Sequence, residues 1–421
     1  MLIFAIIVYL IGTYFLVFWF LSILEGDFHY PDSGWKNMQT FPTVSVIIPA
    51  YNEEKTIKKT LNSVLALDYP SEKLRVVVVD DGSEDKTSKV VKDIMRLYPS
   101  CDIKLIQQEN QGKGAALNNA LKIIGTKYFA CLDADSEVDK YSLKKMIYRF
   151  ERRQHLNEKL AIITPALKVQ SPKNLVQRVQ YVEYLITMFL ARVLSKNKSI
   201  YVAPGPFSIY KTDVIKQLGG FDEKNLTEDQ EIAYRVKQSK YEIENCSDAF
   251  VYTNAPDSLK SLFYQRNRWY KGALINAWKY RKMMFNKEYG HFGMFQMPLN
   301  FLTFFLSASA LFLFFYYTLK PLFKHLKDLF LVNFDFVPFL KDLFRFNFNI
   351  LDFNPLITTF VVFSLLVFFY FIYKIFKEYL EKKSGEKLFS VGTYVFVYFL
   401  FLGLVVFVVL FDLSLGRIQK W

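Results

Sequence analysis

Val44-Ser45-Val46-Ile47-Ile48-Pro49-Ala50-Tyr51-Asn52-Glu53-Glu54 is the stretch whose reading decides the fold. Val44–Ile48 is rich in β-branched residues, which suit a pleated and buried strand. Asn52–Ala66 then predicts a helix opened by a polar cap and acidic residues. Leu74–Val79 predicts a second strand and Thr87–Tyr98 a second helix. Ile103–Gln107, Gly114–Ile124 and Tyr128–Leu132 repeat the alternation. Largely apolar strands alternating with helices point to a buried parallel sheet, and so to an α/β fold. Ligands of such sheets sit beyond the carboxyl ends of the strands.

Those ends are acidic. The first strand runs into Glu53-Glu54, the second into Asp80-Asp81-Gly82-Ser83, and Tyr128–Leu132 into Asp133-Ala134-Asp135. Clustered carboxylates repel one another unless a cation or donated hydrogens offset the charge. Asp-x-Asp at a strand end can turn both carboxylates toward one hard cation. Mg²⁺ and Mn²⁺ take oxygen ligands, and a site of one or two carboxylates leaves room for phosphate oxygens. Asp133 and Asp135 are therefore the candidate metal ligands, and a nucleotide diphosphate fits the remaining positions. Gln111-Gly112-Lys113-Gly114 lies between these strands, where Lys113 can neutralise phosphate.

Outward from this block the composition changes. The 421 residues allow roughly two or three units of ~150 residues. They are 52% hydrophobic, with 43 Phe, and the apolar residues come in blocks. Leu2–Leu24, Met294–Leu319, Pro355–Tyr373 and Phe389–Phe411 carry no charged side chain. Each has about the ~20 apolar residues that cross hydrocarbon as a helix. Leu2–Leu24 lacks a basic n-region and a small-x-small cleavage site, which predicts a retained anchor rather than a cleaved signal. The net charge of +13 suits an anionic membrane surface or a phosphorylated ligand. No nucleic-acid motif is present, so nucleic acid is set aside as a partner. Cys101, Cys131 and Cys246 show no paired spacing, and the four His are scattered. That argues against a disulfide framework and a Cys-based metal site, and a His-based zinc site has no support.

Past Ala161 the alternation weakens. In Asn174–Ser195, Leu175, Val179, Val182, Ile186, Phe189 and Val193 recur at spacings of three and four. That stripe fits a helix packed on the core or one lying in the membrane interface. Phe323–Phe348 mixes apolar and charged residues and predicts a surface amphipathic helix or a structured loop.

The ordered set Val-Ile-Ile-Pro-Ala-Tyr-Asn-Glu-Glu, Val-Asp-Asp-Gly-Ser, Gly-Lys-Gly-Ala-Ala-Leu-Asn and Asp-Ala-Asp resembles the inverting family-2 glycosyltransferases of GT-A fold. Three later segments narrow the likeness: Gly205-Pro206-Phe207-Ser208-Ile209-Tyr210, Leu226-Thr227-Glu228-Asp229, and Gln265-Arg266-Asn267-Arg268-Trp269. They resemble the membrane-integrated subgroup of hyaluronan, chitin, cellulose and poly-N-acetylglucosamine synthases. The resemblance implies a nucleotide-sugar site at Ala50, Tyr51, Glu53, Asp80, Asp81, Lys113, Asp133, Asp135, Gln265, Arg266 and Arg268. Asp133 and Asp135 would hold Mg²⁺ or Mn²⁺. It implies Asp229 as general base within Thr227-Glu228-Asp229, and an acceptor site at Trp269, Gly205 and Pro206.

Chemistry agrees with those roles. A carboxylate can take the proton of an attacking hydroxyl. Arg266 or Arg268, with a metal, can stabilise the leaving diphosphate. Plainer readings compete. Asp229 suits the first turn of any helix through the dipole. Trp269 and Tyr270 fit an interfacial aromatic belt. Arg266 and Arg268 fit cations snorkelling to headgroups. Glu53 and Glu54 fit a helix cap, and Gly205-Pro206 an ordinary turn.

The expected architecture is a membrane helix over residues 1–24, a linker over 25–40 and a GT-A domain over 41–281. A membrane region follows over 282–421, with three spans near 294–319, 355–373 and 389–411. Nucleotide sugars are cytosolic, which places the catalytic domain in the cytoplasm and the N-terminus outside. Loop charge does not decide this, because Lys320–Asn354 and Lys374–Lys387 each carry five Lys plus Arg. The expected reaction is sugar transfer, from a UDP-sugar ahead of GDP-mannose, to a growing polysaccharide or a lipid-linked glycan in a multi-pass membrane protein. Single-sugar transfer to a lipid carrier and a catalytically silent membrane adaptor are the alternatives.

Overall fold

The computed structural model describes residues 2–24, 33–155, 159–331, 355–379 and 385–417. The loop residues 332–354 and 380–384, and 25–32 of the linker, lie outside the described residues.

The described strands are β1 (Val44–Ala50), β2 (Leu74–Asp81), β3 (Asp102–Gln108), β4 (Tyr128–Cys131), β5 (Ser136–Val138), β6 (Leu160–Val169), β7 (Ser208–Lys211) and β8 (Glu242–Thr253). They form one sheet in the order β3-β2-β1-β4-β7-β6-β8-β5. The β3-β2-β1-β4 half is parallel, as the alternation predicts. β7 runs antiparallel to both β4 and β6, and β5 antiparallel to β8, so the whole sheet is mixed. β7 is only four residues long, too short to leave a period in the sequence.

Side chains alternate across the sheet because the strand period is two. Val44, Val46, Ile48, Val76 and Val78 pack on one face against the helices Ile57–Leu65, Thr87–Leu97 and Ser142–His155. Ile47, Val77 and Val79 pack on the other against Lys113–Ile123 and Glu228–Gln238. Each of these strand side chains is almost fully buried. Such burial contributes about 1.5–3 kcal/mol per side chain.

The first sheet-packed helix starts at Ile57 and not at Asn52. The polar residues before it bond across to the next strand-end loop. The Asn52, Glu53 and Glu54 amides donate to Ser83 Oγ (3.0 Å), Thr87 Oγ1 (2.8 Å) and Asp85 Oδ2 (3.0 Å). In return Asn52 Oδ1 and Glu54 Oε2 accept from the Glu84 and Lys86 amides. Asn52 itself has a φ of 57°, outside the helical region, and these bonds join the two loops into one ledge.

The helix Leu175–Lys196 uses its stripe twice. Leu185, Met188, Phe189 and Val193 pack with Ala166 of the sheet and with Ile23 and Ile375 of two apolar helices. Four described helices are long and apolar enough to cross a membrane: Ile3–Leu24, Phe292–Lys324, Thr358–Ile375 and Phe389–Ser414. They mark a membrane protein. Helical structure continues from the second of them to Leu331, covering the start of the amphipathic Phe323–Phe348 segment. Ala5 and Val8 of the first pack on Leu313, and Phe18 stacks on Phe295 at 4.3 Å.

Candidate active site

Strand register builds the site. Ala50 pairs with Asp80, and Ile47 with Cys131, so three strand ends finish at one sheet edge. The Asp133-Ala134-Asp135 backbone is held from two sides: Thr60 Oγ1 donates to the Ala134 carbonyl (2.8 Å) and Asn254 Nδ2 to the Asp135 carbonyl (3.1 Å). Antiparallel β7 pairs Ser208 with Cys131, which brings Gly205–Phe207 beside Asp133. A Cβ on Gly205 would lie 2.5 Å from Lys113 Nζ and 2.9 Å from each Asp133 carboxylate oxygen. A glycine lets both side-chain ends come that close, so Gly205 is more than an ordinary turn residue.

Lys113 is the cationic hub. Its Nζ lies 2.7 Å from Asp133 Oδ1 and 3.3 Å from Glu228 Oε1. Burial pulls the Lys113 ammonium down, but the charges of Asp133, Glu228 and Asp229 outweigh it and raise it. Asp229 stands half-buried in the first turn of Glu228–Gln238, where the helix N-terminus favours negative charge. Its Oδ1 accepts from the Gln230 amide (2.8 Å). Burial and then the Glu228 charge hold the Asp229 carboxyl above the usual carboxylate range, against Lys113, Arg268 and that amide. A half-buried carboxylate raised in this way is suited to proton transfer. Thr227 instead packs against the Leu259–Lys279 helix, where Asn276 Nδ2 donates to its Oγ1 (3.0 Å).

The second strand end anchors loops. Asp81 accepts from Gln108 Nε2 (2.7 Å) and from the Gln111 and Gly112 amides (2.9 Å each). Asp80 accepts from the Ser83 amide (2.9 Å) and from the Ser88 hydroxyl. Both aspartates are buried, whereas Tyr51 is exposed on the ledge above them.

Three carboxylates face one another at the next strand end. Asp135 is pushed up to about 6 by burial and by the Asp133 and Glu53 charges. Glu53 is raised by burial, less the effect of its Thr56 hydrogen bond, and further by Asp133 and Asp85. This repulsion is what a hard divalent cation relieves, and the donors are all oxygen, so the residues fit Mg²⁺ or Mn²⁺. No group of three or more His, Cys, Asp or Glu among the described residues is arranged to hold a metal alone. A cation at Asp133 and Asp135 would take its remaining oxygen ligands from water or from a bound phosphate.

Gln265–Trp269 sits on the helix Leu259–Lys279, capped by Ser258. The structure separates its two arginines. Arg268 Nη1 donates to the Leu226 carbonyl (3.1 Å), on the Asp229 side. Arg266 is 1% exposed and turned the other way. Its Nη2 donates to Glu183 Oε2 (2.6 Å) and its Nη1 to Gln265 Oε1 (2.5 Å). Its guanidinium lies 4.2 Å from the centre of the Trp269 ring. Sequence reasoning missed Glu183, Tyr184 and Tyr398. Tyr184 is within electrostatic reach of Arg266, Glu183, Asp135 and Asp133, and Tyr398 Oη donates to Glu183 Oε2 (2.9 Å). The stripe in Leu175–Lys196 signals packing and hides the polar residues between its apolar ones.

A mixed α/β sheet with this acidic edge, beside apolar helices, is the architecture of a GT-A glycosyltransferase. The chain belongs to the glycosyltransferase-like family 2, whose model matches residues 42–272. Among curated proteins it is 30% identical over 231 residues to the poly-beta-1,6-N-acetyl-D-glucosamine synthase of Staphylococcus epidermidis, covering 54% of each chain. It is 29% identical over 260 residues to the probable glycosyltransferase YdaM of Bacillus subtilis, covering 59% of this chain and 61% of that one. The chain thus spans little more than half the length of the curated relatives it matches. Among solved structures, a mannosyltransferase from Pyrobaculum calidifontis in complex with GDP-Man and Mn²⁺ superposes with a TM-score of 0.55 at 20% identity. It covers 73% of this chain and 84% of that one. At that identity the likeness is one of fold.

Proposed function

We propose that the chain is an inverting glycosyltransferase that moves a sugar from a UDP-sugar to a growing polysaccharide or lipid-linked glycan at the membrane. The observation that carries this is Asp229: a half-buried carboxylate, raised toward neutrality, in one cluster with Lys113, Glu228 and Asp133. In this reading Asp229 accepts the proton of the acceptor hydroxyl. The hydroxyl oxygen attacks the anomeric carbon opposite the leaving group, and the bond to the diphosphate oxygen breaks. Lys113 and Arg268 balance the charge that develops on the diphosphate. Bound at Asp133 and Asp135, Mg²⁺ or Mn²⁺ would supply Lewis-acid neutralisation of the phosphate oxygens. Asp80, Asp81, Ala50, Tyr51, Glu53 and Gln265 line the donor side. Trp269 and Pro206 line the acceptor side, while Gly205 lies against Lys113 and Asp133.

Residues 41–281 form the catalytic unit, facing the cytoplasm where nucleotide sugars are found. The four apolar helices then span the membrane, with the N-terminus outside. The name of the synthase relative supports N-acetylglucosamine as the transferred sugar, which makes UDP-N-acetylglucosamine the donor to test. The test incubates full-length protein with radiolabelled UDP-N-acetylglucosamine and a short β-1,6-linked N-acetylglucosamine oligosaccharide, then sizes the product. A ladder of long chains is expected, abolished by EDTA and restored by Mg²⁺ or Mn²⁺. Product formation unaffected by EDTA removes the metal from the reading.

A second reading rests on one observation. A cavity of about 240 Å³ lies between the apolar helices beside Tyr270, lined by Thr303, Phe304, Ser307, Leu311, Phe399 and Gly403 among others. Its mostly carbon lining suits a hydrocarbon chain better than a hydrated glycan, which favours a lipid acceptor receiving one sugar. A single added sugar in the lipid phase, in place of the ladder, would establish it.

A further inference from the structure

We infer that Glu183 is a positioning residue for the acceptor site. Its carboxylate fixes the Arg266 guanidinium, and through that stack it fixes the ring of Trp269. The inference rests on the reading of Trp269 as the acceptor platform.

Glu183 comes from a helix remote in sequence, yet its Oε2 accepts from Arg266 Nη2 at 2.6 Å and from Tyr398 Oη at 2.9 Å. The guanidinium is planar and lies over the indole at 4.2 Å, so its orientation sets the tilt of the ring. It covers one face of Trp269, which leaves a pyranose the opposite face. Arg266 is buried to 1% exposure and already paired, so its charge serves the stack and not the diphosphate. The third partner belongs to the membrane region. Tyr398 closes the wide turn Tyr394–Tyr398, stacks on Phe401 at 5.9 Å, and packs with Val179 and Leu262. Glu183 therefore joins three elements at one oxygen: its own helix, the helix carrying Trp269, and a membrane helix. Tyr184, beside it, is in electrostatic reach of Asp133 and Asp135, so this helix borders the donor side as well.

A carboxylate accepts from both donors at once. A Gln keeps one acceptor oxygen but loses the negative charge, so its bond to the guanidinium weakens. Glu183→Gln is expected to raise the KM for the β-1,6-linked N-acetylglucosamine oligosaccharide about tenfold, the scale of one hydrogen bond to a charged group. The KM for UDP-N-acetylglucosamine and its slow hydrolysis by water should stay within about twofold. Combined with Trp269→Ala, it should add nothing to the acceptor KM of Trp269→Ala alone. Tyr398→Phe leaves the ion pair and ring packing in place and should raise acceptor KM a few-fold. If Glu183→Gln does not fold, the Tyr398→Phe and Trp269→Ala pair carries the same comparison. Effects of Glu183 and Trp269 that multiply independently overturn the inference and leave the platform standing. So does a Glu183→Gln enzyme that loses hydrolysis and transfer alike. An unchanged acceptor KM in Trp269→Ala, or no transfer to this oligosaccharide by the unsubstituted enzyme, overturns the platform and this inference with it.

Discussion

At the scale of single residues, the proposed base Asp229 stands in a conflict between burial and charge. Burial and Glu228 raise its carboxyl, while Lys113, Arg268 and the Gln230 amide pull it down. A base acts deprotonated, so a raised carboxyl loses activity earlier as pH falls. The acid limb of kcat/KM should have its midpoint above the ordinary carboxylate value of about 4. Asp229→Asn should erase that limb and lower kcat by about 10²- to 10⁴-fold with little change in donor KM. An unchanged kcat at pH 7 in the substituted enzyme would remove Asp229 from the role of base. Stability has the opposite sign. A carboxyl raised in the folded state favours the protonated form there, so its contribution is present at low pH and is lost as pH rises through the folded value. Asp229→Asn, neutral at every pH, should therefore raise Tm at pH 7 while it removes activity, which differential scanning fluorimetry at pH 5 and pH 7 would show. Gly205 gives a second test. The Cβ of Gly205→Ala meets Lys113 Nζ and both Asp133 oxygens, so the ion pair has to move. Overpacking of this kind costs about 1–3 kcal/mol. Here the neighbours are side-chain ends at a partly open site, so the loss should appear in kcat/KM, by at least about tenfold, and only weakly in Tm.

At the scale of elements, the question is how two helices present one site. Arg268, Gly272 and Asn276 recur every four residues and form one face of Leu259–Lys279. That face meets Leu226–Gln230: Arg268 reaches the Leu226 carbonyl, and Asn276 reaches Thr227 Oγ1 and Gln230 Oε1. A Cβ on Gly272 collides with the Thr227 side chain, including its Cβ at 3.0 Å. Gly272→Ala should thus wedge the helices apart at the point where Glu228 and Asp229 begin. Both Tm and kcat should fall, with about 1–3 kcal/mol lost. Loss of Tm with kcat intact would show that Asp229 does not depend on this contact. The same geometry explains what was legible beforehand. The strand ends at Asp80, Asp133 and Asp135 were readable, because continuous apolar runs stop at acidic residues. The Ile57 helix start was not, because Asn52–Glu54 bond to a loop some thirty residues onward. Arg266 and Arg268 read as equivalents in the linear motif. Two positions on a helix are about 200° apart, so one turns to Glu183 and the other toward Asp229. Glu183 itself carried no signal, since its partner is 83 residues away.

At the scale of the whole molecule, the family-2 domain and the apolar helices share buried polar contacts. Asn300 Nδ2, at the start of one apolar helix, donates to Tyr234 Oη (2.9 Å) of the Asp229 helix. Two residues beyond Trp269, Lys271 Nζ lies 2.6 Å from Asp412 Oδ2 in the last apolar helix, with side-chain exposures of 2% and 21%. A surface ion pair contributes about 0–1 kcal/mol. Losing one member of a buried pair costs about 3–5 kcal/mol, because the other charge stays behind without water or partner. Asp412→Asn should therefore lower Tm sharply in a fixed detergent, and more than removal of an exposed pair such as Arg96–Asp93. Desolvation, rather than attraction, dominates that cost, so removing both charges should recover most of it. The double variant Lys271→Met/Asp412→Leu is then expected to unfold near the temperature of the unsubstituted enzyme. Equal losses in the single and double variants would mean that the pair itself, and not the stranded lysine, carries the stability. The position of this contact gives the measurement a second reading. Lys271 is held on the same helix as Arg266 and Trp269, so Asp412→Asn should shift acceptor KM along with Tm. A variant that loses Tm alone would show that the membrane helix braces the transferase domain without aligning its acceptor site.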